Sequence, residues 1–330
     1  MRAAWYERVG AARDVLQVGE VETPAPGPGE VRVRLATSGV NPSDVKRRSG
    51  WRGQGMEYPR VIPHSDGAGV IDATGDGVLP SRTGERVWTV NASRGRPFGS
   101  AAEYVVLPSA LAVPLPNGID FAAGACLGIP ARTAYHCLFA DGPVNGQTIL
   151  ISGGAGAVGH AAVQLAVWGG ATVISTVSSD AKAEYATAAG AVHVLNYRTE
   201  DVAARIRALT TGAGVDRVVE VALGSNLPIN AAVIKINGVI AAYSSDREPE
   251  PKLPFSAFLT KNVTVHFILV YLLREAVRDQ TAAGVNACLE AGKLHPVIAQ
   301  RFPLEDIAVA HEAVESGQVT GNVVIDIMGG

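Results

Sequence analysis

The sequence is sparing in several things that would each fix a class of protein. Only three cysteines occur in its 330 residues, Cys126, Cys137 and Cys288. They are scattered, form no C-x-x-C pair and supply no even disulfide framework, which fits a reducing compartment. Charged residues make up 18% and the formal net charge is −3, so nothing global points to nucleic acid or an acidic membrane surface. The opening MRAAWYERVG lacks the apolar core of a signal peptide. No apolar run reaches the ~20 residues of a membrane helix; the longest, Val263 to Leu273, is interrupted by His266. Repeats and low-complexity tracts are also missing. The expectation is a soluble, cytoplasmic protein, and its length suggests roughly two domains of about 100–200 residues each.

Apolar residues are plentiful at 47%, so the chain can build cores. Its first third reads as β-rich. Val31-Arg32-Val33-Arg34-Leu35 alternates as a half-buried strand does, after Pro24, Pro26 and Pro28. Gly69–Ile71, Arg86–Val90 and Ala102–Val106 are further β-like pieces, and helical signal is scarce. Near Phe121 the pattern changes. Strands are expected at Thr148–Ser152, Ala171–Val177, His193–Leu195, Val215–Val221, Val239–Tyr243 and Val263–Val270. Helices are expected between them at Val158–Trp168, Ala181–Ala189, Glu200–Thr210 and Leu227–Ile236. A long helix from Leu272 to Leu289 and a strand at Asn322–Ile327 follow. This alternation predicts an α/β fold with a doubly wound parallel sheet beside a β-rich unit.

One motif stands out in ISGGAGAVGHAAVQLAVWGGATVISTVSS, residues 151–179. Gly154-x-Gly156-x-x-Gly159 follows an apolar strand and opens a helix with Val158, Ala161, Ala162 and Leu165 at core-facing spacing. In that context glycines let the backbone turn tightly and approach a pyrophosphate, and a helix N-terminus offers free N–H groups and a positive dipole. An acid expected at the end of the second strand, to bond a ribose 2′-hydroxyl, is missing: the strand ends Thr176-Val177-Ser178-Ser179. Asp180 lies beyond, where acidic residues suit the first turn of the next helix. Lys182 and Tyr197-Arg198 follow, groups that suit a 2′-phosphate and hence NADPH; the plainer reading makes Lys182 and Arg198 solvated surface residues.

The stretches PAPGPGEVRVR, GVNPSDVKRRSG, IPHSDGAGVI, GIPARTAYHCL, GGAGAVG, LNYRTED and VTGNVVIDI occur in this order from one end of the chain to the other. Together they resemble the zinc-independent branch of the medium-chain dehydrogenase/reductase superfamily, the quinone oxidoreductases of the zeta-crystallin type. The resemblance implies a GroES-like catalytic domain over 1–124, a Rossmann NADP-binding domain over 125–269, and a segment 270–330 completing the catalytic domain, with the substrate in the cleft between domains.

The zinc-dependent branch would place Cys, His and Cys as catalytic ligands. Asn41 stands at the first position and Ser65 at the second, with His64 one residue out of register; Cys126 falls near the third. Catalytic zinc needs about three protein ligands, so no metal is expected. Without a Lewis acid, substrates that accept hydride unaided, quinones and conjugated enones, are the better expectation.

The resemblance also assigns residues. Asn41 and Asp44 fall at the nicotinamide end, Asn41 to bond a substrate oxygen or the cofactor and Asp44 to orient that loop or the ribose; N-P-S-D is equally a plain turn sequence. Ala155, Gly156, Ala157, Val158 and Gly159 form the pyrophosphate loop, and Ser178, Lys182 and Tyr197 the 2′-phosphate pocket. Asn226 is an adenosine- or ribose-side contact. Ala242, Tyr243, Ser244 and Ser245, with Phe267, Ile268 and Leu269, are contacts near the nicotinamide. Lys46 replaces a cofactor-contacting Tyr and opens the run Lys46-Arg47-Arg48, which either faces solvent or meets phosphates or an acidic substrate. Asn322 stands at a cofactor position where relatives often carry Lys. Trp51, Tyr58 and Phe98 are candidate aromatic walls.

The expected function is NADPH-dependent reduction of a quinone by hydride or single-electron transfer. The alternatives are an enone or enoyl C=C reductase, for which Asp44 or Tyr58 would be the proton donor, and an NADPH-binding crystallin-like or RNA-binding protein. The apolar strand at Val263–Val270 suggests a homodimer or a larger homo-oligomer such as a tetramer.

Overall fold

Strand and helix alternate from residue 148 onward because short β-branched runs such as Thr148-Ile149-Leu150-Ile151 are separated by longer helix-forming stretches. The computed structural model describes residues 1–327. The chain divides into two units, Met1–Ile129 together with the chain from Pro296, and Pro130–His295.

The second unit holds six parallel strands: Thr148–Ser152, Thr172–Val177, His193–Asn196, Val215–Glu220, Ile234–Ala242 and Thr264–Phe267. Counted along the chain, they lie in the order 3-2-1-4-5-6. Covered on both faces, the central strands bury Ile149, Leu150, Ile151, Val218, Val219 and Ile240 completely or nearly so, which is why they read as unbroken apolar runs. The order reverses between the Thr148–Ser152 and Val215–Glu220 strands, the point where such sheets open a crevice for ligands.

Several elements differ from their expected bounds. The helix expected at 227–236 is Leu223–Val233. The strand after it starts at Ile234, but Lys235–Gly238 loop out, with Asn237 at φ +59°, before regular pairing resumes at Val239. The expected strand at 263–270 is shorter, Thr264–Phe267, and the long helix runs Glu275–Glu290. That helix packs on the Arg132–Phe139 helix: Arg132 Nε donates to Thr281 Oγ1 at 3.1 Å. A Cβ on Gly284 would lie 2.1 Å from the Tyr135 ring. The unit boundaries therefore fall at 129/130 and 295/296, not at 124/125 and 269/270, and residues 270–295 go with the parallel sheet.

The first unit is built on a seven-stranded sheet. Ile298–Pro303, Asn322–Asp326, Glu30–Val40, Asp66–Thr74, Arg86–Thr89 and Ala112–Pro114 lie side by side, and Tyr104–Pro108 also pairs with Glu30–Val40. Asn322–Asp326 runs antiparallel to Glu30–Val40, joining the C-terminal segment to this sheet. The alternation of Val31, Val33 and Leu35, all fully buried, follows the sequence pattern. The scarcity of helix does not hold at NPSD. Pro42 occupies the first turn of the Pro42–Ser49 helix, Asn41 and Asp44 close a capping box, and Gly50 ends it at φ +73°.

Gly284→Ala should lower stability by about 1–3 kcal/mol, the usual cost of overpacking. The expected readout is a lower denaturant midpoint with an unchanged m-value.

Candidate functional site

The glycine loop is held by its own backbone. Gly153 turns at φ +75°, and Gly153 N and Gly154 N both donate to Thr176 O, at 3.1 and 3.0 Å. Gly156 N closes onto Gly153 O at 3.0 Å, and the first bond of the Ala157–Trp168 helix is His160 N to Gly156 O at 2.8 Å. The amides of Ala157, Val158 and Gly159 thus have no acceptor within the helix, and Gly156 is exposed beside them. The glycines have different duties. A Cβ on Gly154 would sit 2.0 Å from Ser175 Oγ, and one on Gly159 2.1 Å from Gly153 O, so packing alone demands both. At Gly156 the nearest atom would be 3.5 Å away. The protein leaves that cradle open, and it faces the free amides: a fit for a pyrophosphate.

The second strand ends as the sequence indicates, without a carboxylate. Ser179 caps the next helix, its Oγ accepting from Lys182 N at 3.4 Å. Tyr197 N donates to Val177 O at 3.1 Å, which brings Tyr197 alongside Ser178, and its side chain is exposed. Asp180 is the first residue of the Asp180–Ala188 helix, and its Oδ1 accepts from Asn196 Nδ2 at 3.3 Å.

Across the switch point, Asn226 is half-buried and donates from Nδ2 to Glu220 at 2.9 Å. Glu220 is fully buried, and the sequence reading did not single it out. Its signal was there: a lone charge closing the otherwise apolar Val218-Val219 run. Around Ala242 the backbone is in use. Ile268 N donates to Ala242 O, Tyr243 N to Glu220 O and Leu223 N to Ser244 O, while Ser245 Oγ accepts from Gly224 N. Ile268 is buried, whereas Phe267 and Leu269 are 77% and 53% exposed, so core packing does not account for Phe267.

In the first unit Asn41 and Asp44 come together, but each is turned to the protein. Asn41 Nδ2 donates to Asp66 Oδ2 and Asp44 Oδ2 accepts from Asn41 N, both at 2.9 Å. Both residues are buried. Burial raises the Asp44 carboxyl to about 7, against the lowering effect of the Asn41 amide and the Arg47 charge. Buried Asp66 also accepts from Ile129 N at 2.9 Å.

The basic run is neither a solvated face nor a free phosphate clamp. Arg47 donates to Ser93 O and Glu57, and Arg48, fully buried, is paired with Glu315 at 2.6 Å. Lys46 Nζ and the Arg52 guanidinium lie 4.8 and 3.9 Å from the Trp51 ring centre. Tyr58 packs against Tyr6, Val15 and Val61, so it belongs to a core cluster. Phe98 is exposed. Asn322 spends its side-chain amide on Val297 O at 3.0 Å.

A buried chain of hydrogen bonds ties the two segments of this unit. Ser100 Oγ donates to Asp66 O at 2.5 Å, and Ser38 Oγ lies 2.9 Å from Ser100 Oγ. Ser38 Oγ also meets His64 Nδ1, and His64 Nε2 meets His311 Nε2, each at 2.9 Å. His311 Nδ1 is buried without a partner.

Comparison with known proteins places this geometry. The alcohol dehydrogenase GroES-like domain model matches residues 27–117, and the zinc-binding dehydrogenase model matches residues 157–290. The quinone oxidoreductase of Sus scrofa is 31% identical over 308 residues, covering 93% of this chain and 92% of that protein. The chain belongs to the zinc-independent quinone oxidoreductase family of the medium-chain dehydrogenases and reductases. A 2-haloacrylate reductase from Burkholderia sp is 31% identical over 323 residues, covering 93% of each. Among solved structures, an NAD-dependent alcohol dehydrogenase matches with TM-score 0.89 at 29% identity, covering 99% of this chain and 100% of that one. A mycobacterial protein complexed with NADPH matches with TM-score 0.86 at 26% identity, covering 98% and 99%.

Although one matching family model is described by zinc, the ligand positions of this quinone oxidoreductase family member are otherwise engaged. Asn41 is bonded to Asp66, and Ser65 Oγ to Ser93 Oγ at 2.8 Å. Cys126 Sγ donates to Ala122 O, and burial pushes its thiol well above 9. Among the described residues no group of three or more His, Cys, Asp and Glu is placed to hold a metal ion.

The buried titratable groups set the acid response. Desolvation lowers His64 to about 3 and His311 well below its ordinary value, so unfolding takes up two protons below about pH 6.5 and acid destabilises the fold. Asp44, raised to about 7, has the opposite sign: unfolding releases its proton between about pH 4 and 7. His136 and His160, lowered by desolvation as well, add uptake of the same sign. Stability should therefore fall on acidification from pH 6 to 5, with His64, His311 and Asp44 together contributing about one proton to the slope. In Asp44→Asn the slope should steepen by about one proton. Urea midpoints measured across that range decide this.

Proposed function

We propose that the chain is an NADPH-dependent quinone oxidoreductase. The observation that carries the cofactor is the end of the Thr172–Val177 strand. Ser178, Ser179, Lys182 and Tyr197 lie where an NAD binder places a carboxylate, and the nearest acid, Asp180, is turned to Asn196. The free amides of Ala157, Val158 and Gly159 would hold the pyrophosphate, and Lys182 would neutralise the 2′-phosphate. When bound, the nicotinamide supplies the reducing equivalent. Ala242 to Ser245 and Ile268 form a backbone-bonded rim that would border the nicotinamide. Asn41 and Asp44 hold the loop ahead of the Pro42–Ser49 helix in one shape and keep water from the groups they bury.

The quinone follows from the donor set. Where zinc would polarise a carbonyl or an alcohol, this chain carries the amide of Asn41 and the hydroxyl of Ser65, which cannot substitute for a Lewis acid. A substrate that takes a reducing equivalent without metal assistance fits, and the likeness to quinone oxidoreductases supports it. A second reading, reduction of a conjugated C=C bond, is favoured by the likeness to the 2-haloacrylate reductase and by the Asp44 carboxyl, which retains a proton near neutral pH.

Among the described residues, the Thr264–Phe267 strand pairs on one side only, with Ile234–Ala242. Beside it Phe267, Leu269 and Leu272 are 77%, 53% and 62% exposed. An unprotected apolar edge of this kind invites pairing, and we infer a homodimer closed through it.

Fluorescence titration should show NADPH binding more tightly than NADH. Lys182→Ala should weaken NADPH about tenfold, the cost of losing one charge-assisted contact, and leave NADH nearly unchanged; equal losses would remove the 2′-phosphate assignment. Turnover of NADPH with 9,10-phenanthrenequinone or 1,4-benzoquinone, and not with 2-alkenals or enoyl-thioesters, would support the quinone reading, and the reverse pattern the C=C reading. Phe267→Lys should convert the dimer to a monomer by light scattering with the fold intact by circular dichroism.

A further inference from the structure

Glu220 closes the Val215–Glu220 strand with its side chain fully buried, and it accepts four hydrogen bonds. Oε1 takes Ala222 N at 2.7 Å and Asn226 Nδ2 at 2.9 Å. Oε2 takes Ser152 Oγ at 3.1 Å and Asn230 Nδ2 at 2.9 Å. All four donors are neutral. The Ala222 amide stands at the start of the Leu223–Val233 helix, whose dipole favours an anion there.

A carboxylate can only accept, so it dictates the orientation of both asparagines. Each must turn its NH2 toward Glu220 and its carbonyl oxygen away. For Asn230 this strands Oδ1 in the interior without a partner. An apolar trio of the same size would pack here without burying a charge or orphaning a carbonyl, so stability alone does not explain the arrangement. For half-buried Asn226 the same constraint turns Oδ1 away from Glu220 and fixes it as an acceptor.

The position matters as much as the chemistry. Val219 pairs with Ile151, which sets Glu220 beside Ser152, the residue before Gly153. Tyr243 N donates to Glu220 O. One residue therefore joins the start of the glycine loop, the turn carrying Asn226 and the chain after Ala242, all at the switch point of the sheet.

We propose that Glu220 is a positioning residue for dinucleotide binding: it locks Asn226 so that its carbonyl oxygen accepts from a ribose hydroxyl. A fixed acceptor suits a hydroxyl and disfavours a phosphate, so it complements the amides of Ala157 to Gly159, which do the reverse. This rests on the dinucleotide reading of the glycine loop, and is independent of NADPH over NADH and of the acceptor substrate.

The test is titration of the full chain with NADPH and NADH by intrinsic fluorescence, in wild type, Glu220→Gln, Asn226→Ala and the double variant, with thermal midpoints alongside. Glu220→Gln keeps the volume but adds a donor, so the Asn226 amide is free to turn. Each single change should raise Kd about three- to tenfold for both dinucleotides, the loss of one neutral hydrogen bond. The double variant should bind no more weakly than the worse single, because both changes remove one contact. Additive losses, or an unchanged Kd in either single variant whatever happens to the midpoint, overturn the proposal while leaving the dinucleotide reading in place. Wild-type protein that binds neither dinucleotide overturns both.

Discussion

The parallel sheet and its ligand edge depend on how closely a loop can approach a strand. A helix can begin with its first amides facing outward at a sheet's C-terminal edge only if the turn before it lies flat on the neighbouring strand. Gly154 against Ser175 and Gly159 against Gly153 supply that contact, and a methyl group at either would collide at about 2 Å. Gly153 and Gly154 then spend their amides on Thr176 O, leaving the next turn's amides for something outside the protein. Packing and recognition are two consequences of one close approach.

The first unit solves a different problem, that of satisfying a polar interior. Its buried polar groups are joined in continuous chains of hydrogen bonds. Asp66 gathers Asn41 and Ile129 on its carboxylate and Ser38 and Ser100 at its carbonyl. His64 and His311 carry the same chain to the helix Ile307–Glu315, in the C-terminal segment. Buried Arg48 reaches Glu315 in that helix as well. Polar specificity, together with the Asn322–Asp326 strand, holds a segment whose contact residues lie 247 and 267 residues away in sequence.

Most of the α/β unit was legible because its signals are local. Thr148–Ser152 is bounded as expected, since a five-residue β-branched and leucine run ending in glycines admits one reading. The glycine spacing and the missing strand-end acid were likewise visible in consecutive residues. What escaped was set by distant contacts or by capping. NPSD reads as a turn, yet Asp44 at the third helical position closes a capping box and a helix follows. Lys46-Arg47-Arg48 reads as a surface run, yet Arg48 is fully buried because Glu315, far along the chain, reaches it. The Glu275–Glu290 helix lies with the parallel sheet because of Tyr135 and Arg132, which its own sequence does not announce. Glu220 escaped for the same reason: its meaning lies in Ser152, Asn226 and Asn230.

The open space at Gly156 separates two demands that coincide elsewhere in the loop. At positions 154 and 159 any side chain disrupts the fold itself, so misfolding reports the error. At 156 the folded chain has room for a methyl group. A change there would pass every assay of expression, solubility and melting while obstructing whatever the free amides hold. Evolutionary and laboratory selections that act on stability alone would therefore be blind to that glycine and would let it drift.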